Sequence, residues 1–96
     1  MSKIQETLAA RGSKYGPFSG HAEITQCLKQ VMSNAVEGVN TNWSRLNASQ
    51  KEALEMIAHK IGRILNGDHN YDDSWMDIAG YAQLIVNELN DGADNV

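Results

Sequence analysis

Residues 49–89 read SQKEALEMIAHKIGRILNGDHNYDDSWMDIAGYAQLIVNEL, and the spacing of apolar residues in this stretch decides the fold class. Ala53, Leu54, Ile57, Ala58, Ile61, Ile64 and Leu65 recur at intervals of three and four, which gathers them on one face of a helix. Ser49 followed by Glu52 has the form of a capping box. Gly67, after Asn66, is a natural stop, because a left-handed residue past a helix end costs least when it is glycine. A second helix is predicted to begin with Asp73 or Ser74 as its N-cap and to bury Trp75, Ile78, Ala82, Ile85, Val86 and Leu89. Two helices joined by so short a loop, NGDHNYDD, make a hairpin, predicted over about 49–66 and 74–89.

Away from the apolar stripes both helices carry charge. Glu52, Glu55, His59 and Arg63 share one surface of the first; Asp73, Asp77, Tyr81 and Leu84 lie beside the stripe of the second. Gly80 on that flank would let another backbone approach, and the loop adds Asp68, His69 and Asp72. Clustered carboxylates on facing helices are how helical bundles hold hard cations. Glu52, Glu55, Asp73 and Asp77 are therefore candidate ligands for Mg²⁺ or Mn²⁺. Because Mg²⁺ commonly shares its shell with substrate phosphates, a di- or triphosphate is the ligand such a site would take. Arg11, Lys14, Lys60 and Arg63 are candidate phosphate contacts. The plainer account of the same residues is a solvated acidic face, with Glu52 capping, Asp77 favoured by the helix dipole and His59 paired to Glu55.

Upstream, Ile4 and Leu8 predict a short N-terminal helix over about 2–10, ended by Arg11-Gly12. The following loop, SKYGPFS (13–19), places a lysine and two aromatics around Gly16-Pro17. Tyr15 and Phe18 are expected to plug the core, although the same loop could contact an anionic or planar ligand. A helix over about 19–35 follows, with Ser19 as N-cap and Ile24, Leu28, Val31, Met32 and Ala35 as its stripe. His21 falls at the boundary of that stripe, and Cys27 is read as a small buried hydrophobe. Residues 37–48 are rich in turn formers, with Trp43 and Leu46 pinning them down, and the polar tail 90–96 is expected to fray. No alternating run of strand type occurs, so the expected fold is all-α: a small helical bundle in one domain spanning 1–96.

Composition sets limits. A chain of 96 residues, 42% apolar, can build only a modest core, which favours a homodimer or higher homo-oligomer. A net charge of −4 argues against binding the backbone of nucleic acids. No apolar run approaches the ~20 residues needed to span a bilayer, and the start lacks the order of a signal peptide. The single Cys27 cannot form an internal disulfide, so a cytoplasmic location is expected. No nucleophile elbow and no phosphate-cradling glycine loop ahead of a lysine is present.

Two blocks, RGSKYGPFSGHA and ALEMIAHKIGRILNGDHNYDDSWMDIAGYAQLI, resemble a family of short phage and prophage proteins catalogued mainly as a domain of unknown function. That resemblance implies a viral or prophage origin and an all-α fold. More distantly the chain resembles MazG-like all-α nucleotide pyrophosphatases and helical nucleotide-modification-associated domains. These carry Glu-x-x-Glu on one helix and a Glu/Asp pair on a later one, binding Mg²⁺ around a nucleoside triphosphate. Glu52 and Glu55 match the first pair; Asp73 and Asp77, four apart, depart from the second. The resemblance implies a Mg²⁺-dependent nucleotide-binding or nucleotide-pyrophosphate-hydrolysing protein. Its metal would sit on Glu52, Glu55, Asp73 and Asp77, and its substrate on Arg11, Lys14, Tyr15, His59, Arg63 and Tyr81. The alternative is a non-catalytic phage protein that binds and inhibits a host factor or defence system, or a nucleotide sponge.

Overall fold

The computed structural model describes residues 2–34 and 36–94, with side chains as far as Asp91. Its helices are α1 (Lys3–Tyr15), α2 (Phe18–Met32), α3 (Ala48–Asn66) and α4 (Asp72–Asp94), with a 3-10 turn at Trp43–Arg45. The all-α expectation holds, and no described helix is long and apolar enough to cross a membrane.

The helix ends differ from the sequence reading, each for a local reason. Ser2 caps α1 by accepting from the Gln5 N–H, and α1 runs on through Arg11-Gly12 to Tyr15, leaving only Gly16-Pro17 before α2. Pro17, not Ser19, precedes α2, because its φ of −62° suits a helix entry. Asn47, not Ser49, caps α3, in a reciprocal capping box with Gln50; Ser49 instead donates to Glu88 Oε1 at 3.0 Å. Gly67 does end α3 but has φ −142°, so left-handed geometry is not its role. A Cβ there would collide with the Lys14 carbonyl and the Tyr15 backbone, so glycine is needed for close approach. α4 begins at Asp72, ahead of both proposed caps, Asp73 and Ser74, and continues past Leu89 to Asp94. Ala35 and residues 95–96 of the tail lie outside the described residues.

α3 is the central helix of a layer. α2 runs antiparallel along one side of it, with His21 and Thr25 buried against Gly62, where a Cβ would lie 2.9 Å from His21 Nδ1 and run into Thr25 Oγ1. α4 lies along the opposite side, also antiparallel, tied by Lys60 Nζ to Asp77 Oδ2 at 2.9 Å and by Ser49 to Glu88. Its least exposed positions are Ser74, Ile78, Tyr81 and Ile85. On α3, Gly62 and the Ala53–Lys60–Ile64 row point to opposite sides, as the 3.6-residue turn requires.

This layer buries less than its sequence stripes imply. The buried apolar side chains are Ala53, Ala58 and Ile64, and no large side chain is fully buried among the described residues. Trp75, Val86 and Leu89, expected in the core, stay exposed, as do Leu54 and Leu65. Cys27, expected buried, is exposed too. Gly80 faces open space rather than another backbone.

The Gly62 contact yields a prediction. Gly62→Ala gains roughly 1 kcal/mol of helix propensity but overpacks the stiff Thr25 and His21 side chains by about 1–3 kcal/mol. We expect a net fall of several degrees in the thermal midpoint measured by circular dichroism. Gly80→Ala, with nothing near its Cβ, should instead raise the midpoint. Equal behaviour of the two variants would show that α2 does not rest on Gly62.

Candidate functional site

The α1–α2 turn is held against the end of α3 by one side chain. Asn66 Nδ2 donates to the Tyr15 carbonyl at 2.9 Å and to the Pro17 carbonyl at 2.7 Å. Gly16 between them has φ 76°, and a Cβ there would strike the Asn66 carbonyl oxygen. The Asp68 N–H donates to the Lys14 carbonyl at 2.7 Å, which ties the last turn of α1 to the loop after α3. These bonds place Tyr15 under Arg63, whose guanidinium lies 4.2 Å from the ring centroid.

The result is a cleft of about 460 Å³ between α1, α2 and α3, lined by Leu8, Arg11, Gly12, Tyr15, Gly16, Pro17, Phe18, His21, His59 and Arg63. No carboxylate is among these residues, so a protein of net charge −4 encloses a locally cationic hollow. The ion pairs among the described residues are Lys29–Glu55 at 3.7 Å and Lys60–Asp77 at 2.9 Å. Arg11 and Arg63 therefore have no ion-pair partner among the described residues. Phe18 stands at the cleft wall 78% exposed, which corrects the expectation that it plugs the core.

At the floor, His21 Nε2 and His59 Nδ1 are 3.2 Å apart with the rings edge to face. One nitrogen must donate and the other accept, so the two rings cannot both be imidazolium. Burial is the main force lowering the His59 pKa, to about 4, with His21, Arg63, Lys60 and Lys29 adding to it. Burial, and then Arg63, also lowers the pKa of His21, which is only 5% exposed. Near pH 7 the floor is a neutral imidazole pair. The site thus offers two guanidinium groups for an anion, an exposed ring for a planar group and neutral donors and acceptors beneath.

Four of the expected substrate residues, Arg11, Tyr15, His59 and Arg63, come together here. Two do not. Lys14 turns to the other side of α1, its ammonium 4.7 Å from the Tyr71 ring centroid. Tyr81 lies on α4 beside Asp77 and Leu84. The four carboxylates are placed separately: Glu52 is exposed, Glu55 pairs with Lys29, Asp77 pairs with Lys60, and Asp73 accepts from the Tyr71 hydroxyl at 2.8 Å. That bond is the main cause of the raised Tyr71 pKa. Among the described residues no group of three or more His, Cys, Asp or Glu is placed to hold a metal ion. His21 and Asn66 are the members that the residue reading missed. Spacing within one helix could not pair His21 with His59 across 38 positions.

Comparison with known proteins places the chain by sequence. The model of a domain family of unknown function, DUF6378, matches residues 1–89, and the chain belongs to that family. No curated protein and no solved structure matches it.

The imidazole pair makes stability depend on pH. The folded His59 pKa lies below its ordinary 6.5, so on acidification the unfolded chain takes up the proton first. This contribution is full above about pH 6.5 and is lost as pH falls toward about 4. The wild-type thermal midpoint should fall between pH 6.5 and 5, and His59→Gln should flatten that slope. An equal slope in both would mean that His59 is not held neutral by the fold.

Proposed function

We propose that this DUF6378 chain binds a nucleotide, or a similarly phosphorylated planar molecule, in the cleft between α1, α2 and α3. The observation that carries the reading is a pair of guanidinium groups, Arg11 and Arg63, without ion-pair partners among the described residues in a cleft lined by no carboxylate. A guanidinium matches two phosphate oxygens at once, and within a cleft the pairing is less screened than on open surface. Phe18 supplies an exposed face for a base, and the cleft volume of about 460 Å³ falls within the range of small-molecule sites.

The Mg²⁺ or Mn²⁺ expected from the acidic residues fits this arrangement poorly within one chain. Glu55 and Asp77 each already face an ammonium group, and Asp73 is engaged by Tyr71. Binding is therefore the function these residues support, and a divalent ion would enter with the nucleotide phosphates. In a phage- or prophage-encoded protein, as the resemblance implies, such binding would act on the nucleotide pool of the host.

Calorimetric titration with nucleoside mono-, di- and triphosphates, with and without Mg²⁺, tests the reading. Each charge-assisted contact is worth about 1.5–3 kcal/mol, so Arg11→Ala and Arg63→Ala should each weaken binding by roughly 10- to 150-fold. Glu52→Gln should leave it unchanged. Wild-type affinity in both arginine variants, or no nucleotide binding by the wild type, would remove the cleft from consideration.

A further inference from the structure

The layer of helices has two unlike faces. Lys29 and Glu55 pair on one side of the α2–α3 contact, and the His21–His59 bond and Arg63 lie on that same side. Lys60 and Asp77 continue it across to α4. Turning each helix in steps of about 100° per residue puts the opposite face together from apolar side chains. α2 contributes Ile24, Leu28 and Val31, which line one shallow groove with Cys27 and, at its edge, Glu23. α3 contributes Leu54 and Leu65, the latter 67% exposed. Leu54 and Ile57 meet Ala82 of α4 in a second groove of about 520 Å³, edged by Asn42, Arg45, Leu46 and Gln50.

The α4 part of this face has its own pattern. Trp75, Ala79, Ala82, Val86 and Leu89 succeed one another at intervals of four, three, four and three. That is the heptad seam by which helices pair side by side. All five are exposed, Trp75 at 54% and Leu89 at 56%. α4 uses a different row, Ser74, Ile78, Tyr81 and Ile85, against α3. The seam is thus spare after the hairpin has formed.

Area says what covers it. The chain exposes 6865 Å², whereas a compact monomer of its 10.6 kDa mass is expected to expose about 5,500 Å². The radius of gyration is 16.2 Å, against about 12.5 Å for a compact domain of this length. That excess belongs to the whole surface, including α1, which buries no residue; a layer-on-layer pair needs to cover only about 1,000 Å² of it on each chain to reach the range of obligate homodimer interfaces. A single helical layer with one apolar face lacks the second layer that a stable domain requires, and an identical layer supplies it.

We infer that this apolar face is the interface with a second copy of the chain, packed layer on layer about a two-fold axis with the α4 seams facing each other. The cation-lined clefts stay on the outer faces of the pair. The inference does not depend on what the cleft binds.

Sedimentation equilibrium of the full chain tests it. The wild type should have twice the 10.6 kDa chain mass at micromolar concentration. Ala79→Glu and Val86→Glu each bury an unpaired charge in an apolar seam and should each raise the dissociation constant at least 100-fold. Both sites are exposed in the single chain, so helical circular dichroism should survive there, and Ala79→Glu introduces a good helix former. Lys29→Ala, on the polar face, should keep the doubled mass. A wild type that stays at 10.6 kDa overturns the inference, and so does a dimer that both seam variants leave intact.

Discussion

The missing side chain at Gly62 is the constraint on which the arrangement rests. It lets α2 come close enough for His21 and Thr25 to be buried against the α3 backbone. That approach brings His21 onto His59, and the Asn66 amide then fixes the α1–α2 turn so that Arg11 and Tyr15 meet Arg63. A side chain of ordinary size at 62 would push α2 outward and separate the two imidazoles. The site is thus a consequence of backbone proximity more than of any one polar contact.

Charge is distributed with the same economy. Most of the acidic side chains lie along exposed helix surfaces, and those nearest the centre are matched singly: Asp77 to the buried Lys60, Glu55 to Lys29. Removing Lys60 from water is tolerable only because Asp77 compensates it. Among the described residues the cleft receives no such compensation for its arginines, and burial keeps its histidines neutral. A chain with an excess of negative charge thereby presents one concave positive surface. Net charge alone speaks of the average field and conceals this.

Much of the architecture could be read without coordinates. Each of the four α-helices was anticipated, the 3-10 turn at Trp43–Arg45 was not, and the hairpin within residues 49–89 holds. Helix ends were less readable because several side chains compete for each cap: Asn47 with Gln50 prevailed over Ser49 with Glu52. Arg11, Tyr15, His59 and Arg63 were singled out as ligand contacts, and they do share a cleft. Lys14 and Tyr81 were singled out too and do not: a turn of 100° per residue points Lys14 to the other side of α1, and Tyr81 belongs to α4, across α3 from the cleft.

By itself, the sequence determined what is periodic and local: helical content, the hairpin, and which residues share a face of one helix. Those properties follow from 3.6-residue geometry and the intrinsic chemistry of turns and caps. Only the tertiary structure decided which of two apolar rows on α4 meets α3, that His21 finds His59, and that each central carboxylate meets an ammonium. These depend on how closely one backbone can approach another. That distance is set between segments far apart in the chain, where sequence spacing carries no information.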